Sequence, residues 1–103
     1  MSFKDYLTEA NDRVGKIIIN QINALDKWAL ASFGAKNYIS SPNSLTFDVR
    51  GSKFRGRITI KLNRQDLYDI EYGTIRNMEY TVKHTDKNIY VDQLVNTLDN
   101  FIG

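Results

Sequence analysis

Residues 44–62, SLTFDVRGSKFRGRITIKL, carry the clearest structural pattern of the chain. Every second position in its two halves is apolar: Leu45, Phe47, Val49, Ile58, Ile60 and Leu62. This alternation is typical of strands that bury one face, because successive side chains of a strand point to opposite sides. The segment between the halves holds Gly51 and polar residues, as turns do. The stretch therefore predicts an antiparallel β-hairpin with its apolar side chains on one face.

The pattern also predicts how the strands align. A turn at positions 50–53 places Phe47 opposite Gly56 and keeps the apolar side chains together on the inner face. The same alignment places Asp48 beside Arg55 on the outer face, where opposite charges attract. A short connection at positions 63–65 then places Arg57 beside Glu71 on the next strand. We expect cross-strand ion pairs on the outer face.

Two further strands follow in the same pattern. Residues 68–72 and 78–82 each alternate apolar or aromatic residues with polar ones, and we expect these side chains to point inward: Tyr68, Ile70, Tyr72, Met78, Tyr80 and Val82. With the hairpin they predict a four-stranded antiparallel β-meander. Its other face, rich in charged residues and threonine, is left to solvent or to a partner.

The segments before and after these strands show the spacing of apolar residues that is typical of helices. Apolar residues recur at intervals of three and four over residues 3–33, after a capping-box pattern at Ser2 and Asp5 and before Gly34, a helix stop. Residues 91–102 return to this spacing, whereas residues 35–43, with Pro42, are expected to form a loop. The sequence predicts a single α+β domain over residues 1–103: a four-stranded antiparallel β-meander with a long N-terminal helix and a short C-terminal helix packed on one face, α-β-β-β-β-α.

The predicted first helix is longer than the sheet it packs on. About 31 residues at 1.5 Å each extend roughly 46 Å, whereas a strand spans about 20 Å. A bend near Gly15, a second helical segment or pairing of the excess length with another subunit would each resolve this mismatch. Ile19, Ile22 and Trp28 continue the apolar stripe where one sheet cannot cover it, and they predict a homodimer interface.

Composition limits the possible classes of protein. The chain has 103 residues and no cysteine, which excludes disulfides, thiolate catalysis and sulfur-ligated metal sites. Neither a secretory signal pattern nor an apolar run of about 20 residues is present, so no membrane partner is predicted. We expect a soluble cytoplasmic protein, or one of the host cytoplasm if the abundance of Asn, Ile, Lys and Tyr reflects a viral or mobile-element source.

Charge is unevenly distributed along the chain. Residues 34–65 hold seven basic residues and one acid, although the net charge is only +2. Six of these bases lie on the predicted hairpin over residues 50–64: Arg50, Lys53, Arg55, Arg57, Lys61 and Arg64. A basic two-stranded ribbon can lie along a phosphate backbone, which makes nucleic-acid binding one hypothesis. The alternative is a solvated sheet surface whose bases are neutralised by Asp48 and Glu71.

The leading hypothesis is a non-enzymatic protein that binds another macromolecule or a second copy of itself. No catalytic residue, cofactor, metal ion or small-molecule substrate is predicted. A remote alternative is a small metal-dependent enzyme centred on Asp69 and Glu71, which lie two residues apart on one strand face, a spacing at which carboxylates can share a divalent cation. The lone histidine, His84, is expected at a strand end without a catalytic partner.

Overall fold

The computed structural model describes residues 13–103, with side chains from Val14 onward. The capping box predicted at Ser2 and Asp5 lies outside the described residues. Helix α1 spans Arg13–Leu25 and helix α2 spans Ala29–Ser32. Five strands follow, then a 3-10 turn at Val91–Gln93 and helix α3 at Leu94–Ile102. The protein is therefore α+β, and the predicted C-terminal helix is confirmed.

The helical part before the sheet differs from the prediction. The prediction of one continuous helix as far as Phe33 is wrong, because α1 ends at Leu25. Just beyond it, a carboxylate oxygen of Asp26 accepts a hydrogen bond from the backbone N–H of Trp28 at 2.9 Å. Such a local bond competes with helical hydrogen bonds and turns the chain into α2. Gly34, at φ +63°, adopts the left-handed conformation that ends α2.

The sheet has five antiparallel strands in chain order, so the prediction of four strands is wrong. They are β1 Lys36–Ser41, β2 Ser44–Arg50, β3 Arg55–Leu62, β4 Tyr68–Arg76 and β5 Glu79–Ile89. The added strand is β1, which occupies most of the predicted loop. It is a half-exposed edge strand with little apolar alternation, and the Pro42–Asn43 turn joins it to β2. Packing of Tyr38 against Phe47, with ring centroids 5.7 Å apart, holds it on the sheet.

The predicted alignments of β2, β3 and β4 are each wrong by two residues, which leaves every side chain on its predicted face. Phe47 lies opposite Ile58 rather than Gly56, and Ile60 lies opposite Ile70 rather than Tyr68. The β2–β3 loop keeps four residues but lies one position later, at residues 51–54, where the backbone N–H groups of residues 53 and 54 donate to the carbonyl of Ile102 in α3. A long-range contact thus holds the loop at this position.

The last hairpin contains a β-bulge that reverses the expected faces of its tip. His84 lies opposite Tyr72, but Val82 lies opposite Gly73, so Lys83 is an extra residue in β5. One extra residue moves the side chains between it and the turn to the other side of the sheet. The inward placement of Met78, Tyr80 and Val82 is therefore wrong. Met78 lies in the tight turn with φ +67° and is 99% exposed.

The core lies between the helices and one face of the sheet. The inward apolar side chains of β2, β3 and β4 are buried, with Ile58 and Ile70 at 0% exposure, so the predicted inward face of residues 45–72 is confirmed. Helices α1 and α3 complete the core with five fully buried side chains: Ile18, Ile22, Leu94, Leu98 and Ile102. Within residues 13–103, no helix is long and apolar enough to cross a bilayer.

Candidate binding site on the open sheet face

We call the side of the sheet away from the helices the open face. Its charged side chains come from β1 to β4: Lys36, Asp48, Arg50, Arg55, Arg57, Lys61, Asp69 and Glu71. The bulge in β5 adds Tyr80 and Val82, in place of the expected Glu79, Thr81 and Lys83. The open face is therefore more apolar at the β4–β5 end than the sequence pattern indicates.

Two ion pairs lie on the open face, each between different partners from those predicted. Arg57 Nε donates to Asp48 Oδ1 at 3.1 Å, where Arg55 was expected as the partner. Lys61 Nζ lies 3.8 Å from Glu71 Oε2, where Arg57 was expected. Both corrections follow from the two-residue shift in strand alignment. Two of the six bases singled out in the sequence are thus neutralised by neighbouring strands.

Two more of these bases lie away from the open face's centre. Lys53 Nζ donates to the carbonyl of Asn100 at 3.3 Å, at the C-terminal end of α3. Carbonyl groups at a helix C-terminus carry partial negative charge, so this lysine stabilises the helix end. Arg64 is exposed in the turn between β3 and β4, at the opposite end of β3 from Arg55. The six bases therefore do not form one continuous ribbon.

The remaining two bases face each other. Arg50 lies directly opposite Arg55 across β2 and β3. Neither arginine forms an ion pair with another residue in the described part of the chain. Like charges directly opposite on a sheet repel, so this pair raises the energy of the free protein. An anion between the two guanidinium groups would remove that repulsion.

Lys36 adds a third positive charge beside this pair. It lies opposite Asp48, two residues from Arg50 along β2. The carboxylate of Asp48 is already occupied, because Oδ1 accepts from Arg57 and Oδ2 accepts from Asn37 Nδ2 at 2.9 Å. We call Lys36, Arg50 and Arg55 the basic corner. It is the part of the open face where positive charge exceeds negative charge.

A shallow groove begins at the basic corner and crosses the sheet. Its volume is about 260 Å³. The side chains and backbone that line it belong to four strands: Lys36, Asp48, Val49, Arg50, Gly56, Arg57 and Ile75. The groove thus joins the positive charges of β1 and β2 to an exposed apolar residue on β4.

Ile75, Tyr80 and Val82 form an apolar strip at the far side of this groove. Ile75 lies opposite Tyr80, and Val82 lies opposite Gly73. All three side chains are between 41% and 50% exposed. Sequence reasoning missed this strip because the bulge at Lys83 reverses the faces. The only sequence signal of the bulge is that every second residue of β5 is apolar or aromatic up to Val82, whereas the next in this series, His84, is polar.

Tyr80 is held in a defined position within the apolar strip. Its ring lies over Gly73, in the space that a Cβ at residue 73 would occupy. Its hydroxyl donates to Glu71 Oε1 at 2.9 Å. Partial burial, together with the negative charge of Glu71, raises the pKa of Tyr80 to about 12. The side chain is therefore neutral at physiological pH, held by Gly73 and Glu71, and still 41% exposed.

A second polar cluster lies on the helix side of the sheet. The Tyr72 hydroxyl donates to Asp86 Oδ2 at 2.9 Å, and His84 Nε2 lies 2.9 Å from Asp86 Oδ1. The His84 ring stacks on Phe101 of α3, with centroids 4.6 Å apart. Burial and the Asp86 carboxylate raise the pKa of Tyr72 well above its usual range. His84 thus has a partner that the sequence did not indicate.

This second cluster joins β5 to α3. A cleft of about 290 Å³ lies beside it, lined by His84, Asp86, Thr97, Asn100 and Phe101. Thr97 is the hydroxyl-bearing residue of that lining, and its Oγ1 donates to the carbonyl of Gln93 at 2.8 Å rather than to the imidazole. The arrangement therefore lacks the hydrogen bond between nucleophile and base that nucleophilic catalysis requires.

The carboxylates of the metal-enzyme hypothesis are engaged by neighbouring groups. Asp69 Oδ1 accepts hydrogen bonds from the backbone N–H of Asn88 at 3.0 Å and from Asn63 Nδ2 at 3.1 Å. The Asn88 bond is the main reason that the pKa of Asp69 is lowered. Glu71 is bonded to Tyr80 and Lys61. In residues 13–103, no group of three or more His, Cys, Asp or Glu residues could hold a metal ion.

The three residues expected at a dimer interface occupy different environments. Ile22 is fully buried and Ile19 is 6% exposed, both in the core beneath α1. Trp28, between α1 and α2, is 65% exposed. Lys27 Nζ lies 5.3 Å from the centroid of its ring. Of the three, Trp28 alone presents a large surface to a partner.

Comparison of this chain with family models, with curated proteins and with solved structures found no match.

Proposed function

We propose that this protein is a non-enzymatic binding protein that holds an anionic macromolecule against the open face of its sheet. The observation that carries the proposal is the facing pair of Arg50 and Arg55, which no acidic residue of the described chain neutralises. A protein gains nothing in stability from placing two arginines opposite each other. Binding of an anionic partner at this position offsets the repulsion and gives the pair a role.

The neighbouring apolar strip supports a macromolecular partner rather than a small anion. Ile75, Tyr80 and Val82 expose apolar area beside positive charge, and binding surfaces combine these two properties. The shallow groove between them is open along one side of the sheet, so it fits an extended partner. The acids near it are bonded to neighbouring side chains, which favours a binding role over a catalytic one.

Heparin-affinity chromatography tests this function, since heparin is a flexible polyanion. We expect the protein to bind heparin at about 50 mM salt, because charge pairing is strongest at low ionic strength. The variant Arg50→Ala/Arg55→Ala should elute at clearly lower salt. The control Arg64→Ala/Arg76→Ala changes net charge equally but outside the basic corner, and should elute close to the wild type. Equal elution of the two variants, or no retention of the wild type, would refute the proposal.

Self-association through the helical end of the protein is a second proposal, supported by the exposure of Trp28. Ile17 and Leu25 on α1 are also more than 40% exposed, so further apolar area is available on that helix. A second copy of the chain would cover it. Light scattering after size exclusion should show a dimer at tens of micromolar, roughly the range of a modest interface. Trp28→Ala should shift the mass to that of a monomer, and a monomeric wild type would rule the dimer out.

A further inference from the structure

We propose that the macromolecule bound by the open face is a single-stranded nucleic acid, with phosphates at the basic corner and a base stacked on Tyr80. This inference rests on the proposed binding role of the open face and names the chemistry of its partner. It depends on the juxtaposition of three cations, a groove and an exposed aromatic ring on one sheet surface. Each of these features matches one part of a nucleotide chain.

The basic corner matches the phosphates. Arg50 and Arg55 are direct partners on neighbouring strands, and strands lie about 4.8 Å apart, so the two guanidinium groups can contact the same phosphate or adjacent ones. Lys36 extends the positive charge to the edge strand β1. Guanidinium groups bind phosphate through paired hydrogen bonds. The corner therefore favours a chain of closely spaced phosphates.

Tyr80 matches a base. One side of the ring lies against the backbone at Gly73, where a residue with a side chain would displace it. The bond from its hydroxyl to Glu71 restrains it further, and the residue remains 41% exposed. A ring held in this way loses little freedom when a base stacks on it. Single-stranded nucleic-acid sites commonly combine aromatic rings of this kind with a basic groove.

The groove connects the two contacts across the sheet. It is lined at one end by Lys36 and Arg50 and at the other by Ile75, the cross-strand neighbour of Tyr80. Arg57 lies between them, and its charge acts on the Tyr80 hydroxyl. From β1 to β5 the path crosses four strand spacings, about 19 Å. A nucleotide strand whose phosphates lie on β1 to β3 can extend its bases across this path, past Ile75 on β4 to Tyr80 on β5.

A single strand fits these features better than a duplex or an acidic peptide. The bases of a duplex are stacked on one another and unavailable to Tyr80, whereas those of a single strand can be splayed onto the ring. An acidic peptide would use the basic corner but has no planar base for the exposed side of Tyr80. Dependence on the Tyr80 ring therefore distinguishes a single strand from the other two partners.

The test is fluorescence anisotropy with labelled oligothymidylate and oligouridylate of about ten nucleotides, at low salt. We expect Tyr80→Ala to weaken binding roughly ten-fold, and Tyr80→Phe, which keeps the ring, to stay within about three-fold of the wild type. Arg50→Ala/Arg55→Ala should weaken binding at least as much as Tyr80→Ala. Circular dichroism melting of each variant shows that the fold is retained. Comparison of the two oligonucleotides shows whether DNA or RNA is preferred.

The outcomes separate this inference from the binding role on which it rests. Retention on heparin without binding of either oligonucleotide would overturn the single-strand partner and leave the binding role intact. Equal affinities of Tyr80→Ala and the wild type, or equally tight binding of a duplex or of polyglutamate, would also overturn it. Loss of affinity in Tyr80→Ala with retention in Tyr80→Phe, and weaker binding of the duplex and of polyglutamate, would support it.

Discussion

The ring of Tyr80 lies across Gly73, in the space where any other residue would place its Cβ. The two residues belong to neighbouring strands but are not direct partners, since Gly73 pairs with Val82 and Tyr80 pairs with Ile75. The ring therefore runs diagonally over the sheet and covers backbone that would otherwise be open to solvent. This contact depends on the bulge at Lys83, which brings Tyr80 to the open face.

Gly73→Ala should destabilise the protein by about 1–3 kcal/mol, because the added methyl group overlaps the Tyr80 ring and the packing must shift. The free energy of unfolding in urea measures this loss. In a Tyr80→Ala background the ring is gone, so the same glycine substitution should cost less. An equal cost in both backgrounds would show that the overlap with Tyr80 is not the cause.

Asp48→Asn should strengthen heparin binding while costing about 1 kcal/mol or less in stability. The carboxylate pairs with Arg57 on a partly exposed surface, where ion pairs contribute little to stability, and its loss leaves Arg57 uncompensated. The substitution should raise the salt concentration at which the protein elutes. Asp66→Asn makes the same chemical change in the turn after β3 and is the matched control. A larger shift in the control would contradict the prediction.

Lys53→Ala should lower stability slightly, by about 0.3–1 kcal/mol, because its ammonium group bonds the carbonyl of Asn100 at the end of α3. Its effect on heparin elution should be smaller than that of Arg50→Ala, although each variant loses one positive charge. Thermal melting and heparin elution of the two single variants check this together. Equal losses of heparin affinity would mean that the whole hairpin binds the anion.

Stability should fall as pH rises above about 10, partly through Tyr72. Its hydroxyl is buried beside Asp86, and its pKa in the folded protein is raised, whereas in the unfolded chain it titrates near 10. Above that pH the folded state holds a proton that the unfolded state has released, so unfolding becomes easier. Below it the stabilisation is fully present.

Tyr72→Phe tests this effect. The variant should lose about 1 kcal/mol at neutral pH, the usual cost of one buried hydrogen bond, and should show a shallower decline in alkaline urea melts. Tyr90→Phe removes an exposed hydroxyl and serves as the control. If Tyr72→Phe and the wild type decline equally between about pH 9 and pH 11, the alkaline loss has another origin.

The open face was only partly predictable from the sequence. Arg50, expected in the turn, instead ends β2, whereas alternation places Arg55 and Arg57 on the open face correctly, because it depends only on strand geometry. The partners of these arginines were predicted wrongly, since they depend on alignment, and alignment depends on the bonds from the β2–β3 loop to Ile102. The apolar strip was missed altogether, because the change from apolar to polar between Val82 and His84 does not by itself show that Lys83 is an extra residue.

Apolar periodicity correctly predicts which faces of β2, β3 and β4 are buried and where the C-terminal helix lies, because it is a property of each segment alone. The alignment of the strands, the addition of β1, the break before α2 and the position of Tyr80 follow only from the folded structure. These depend on hydrogen bonds and packing between segments far apart in the chain, such as Phe47 with Tyr38 and loop residues with Ile102. The arrangement of charge and apolar surface on the open face likewise depends on these contacts between distant segments.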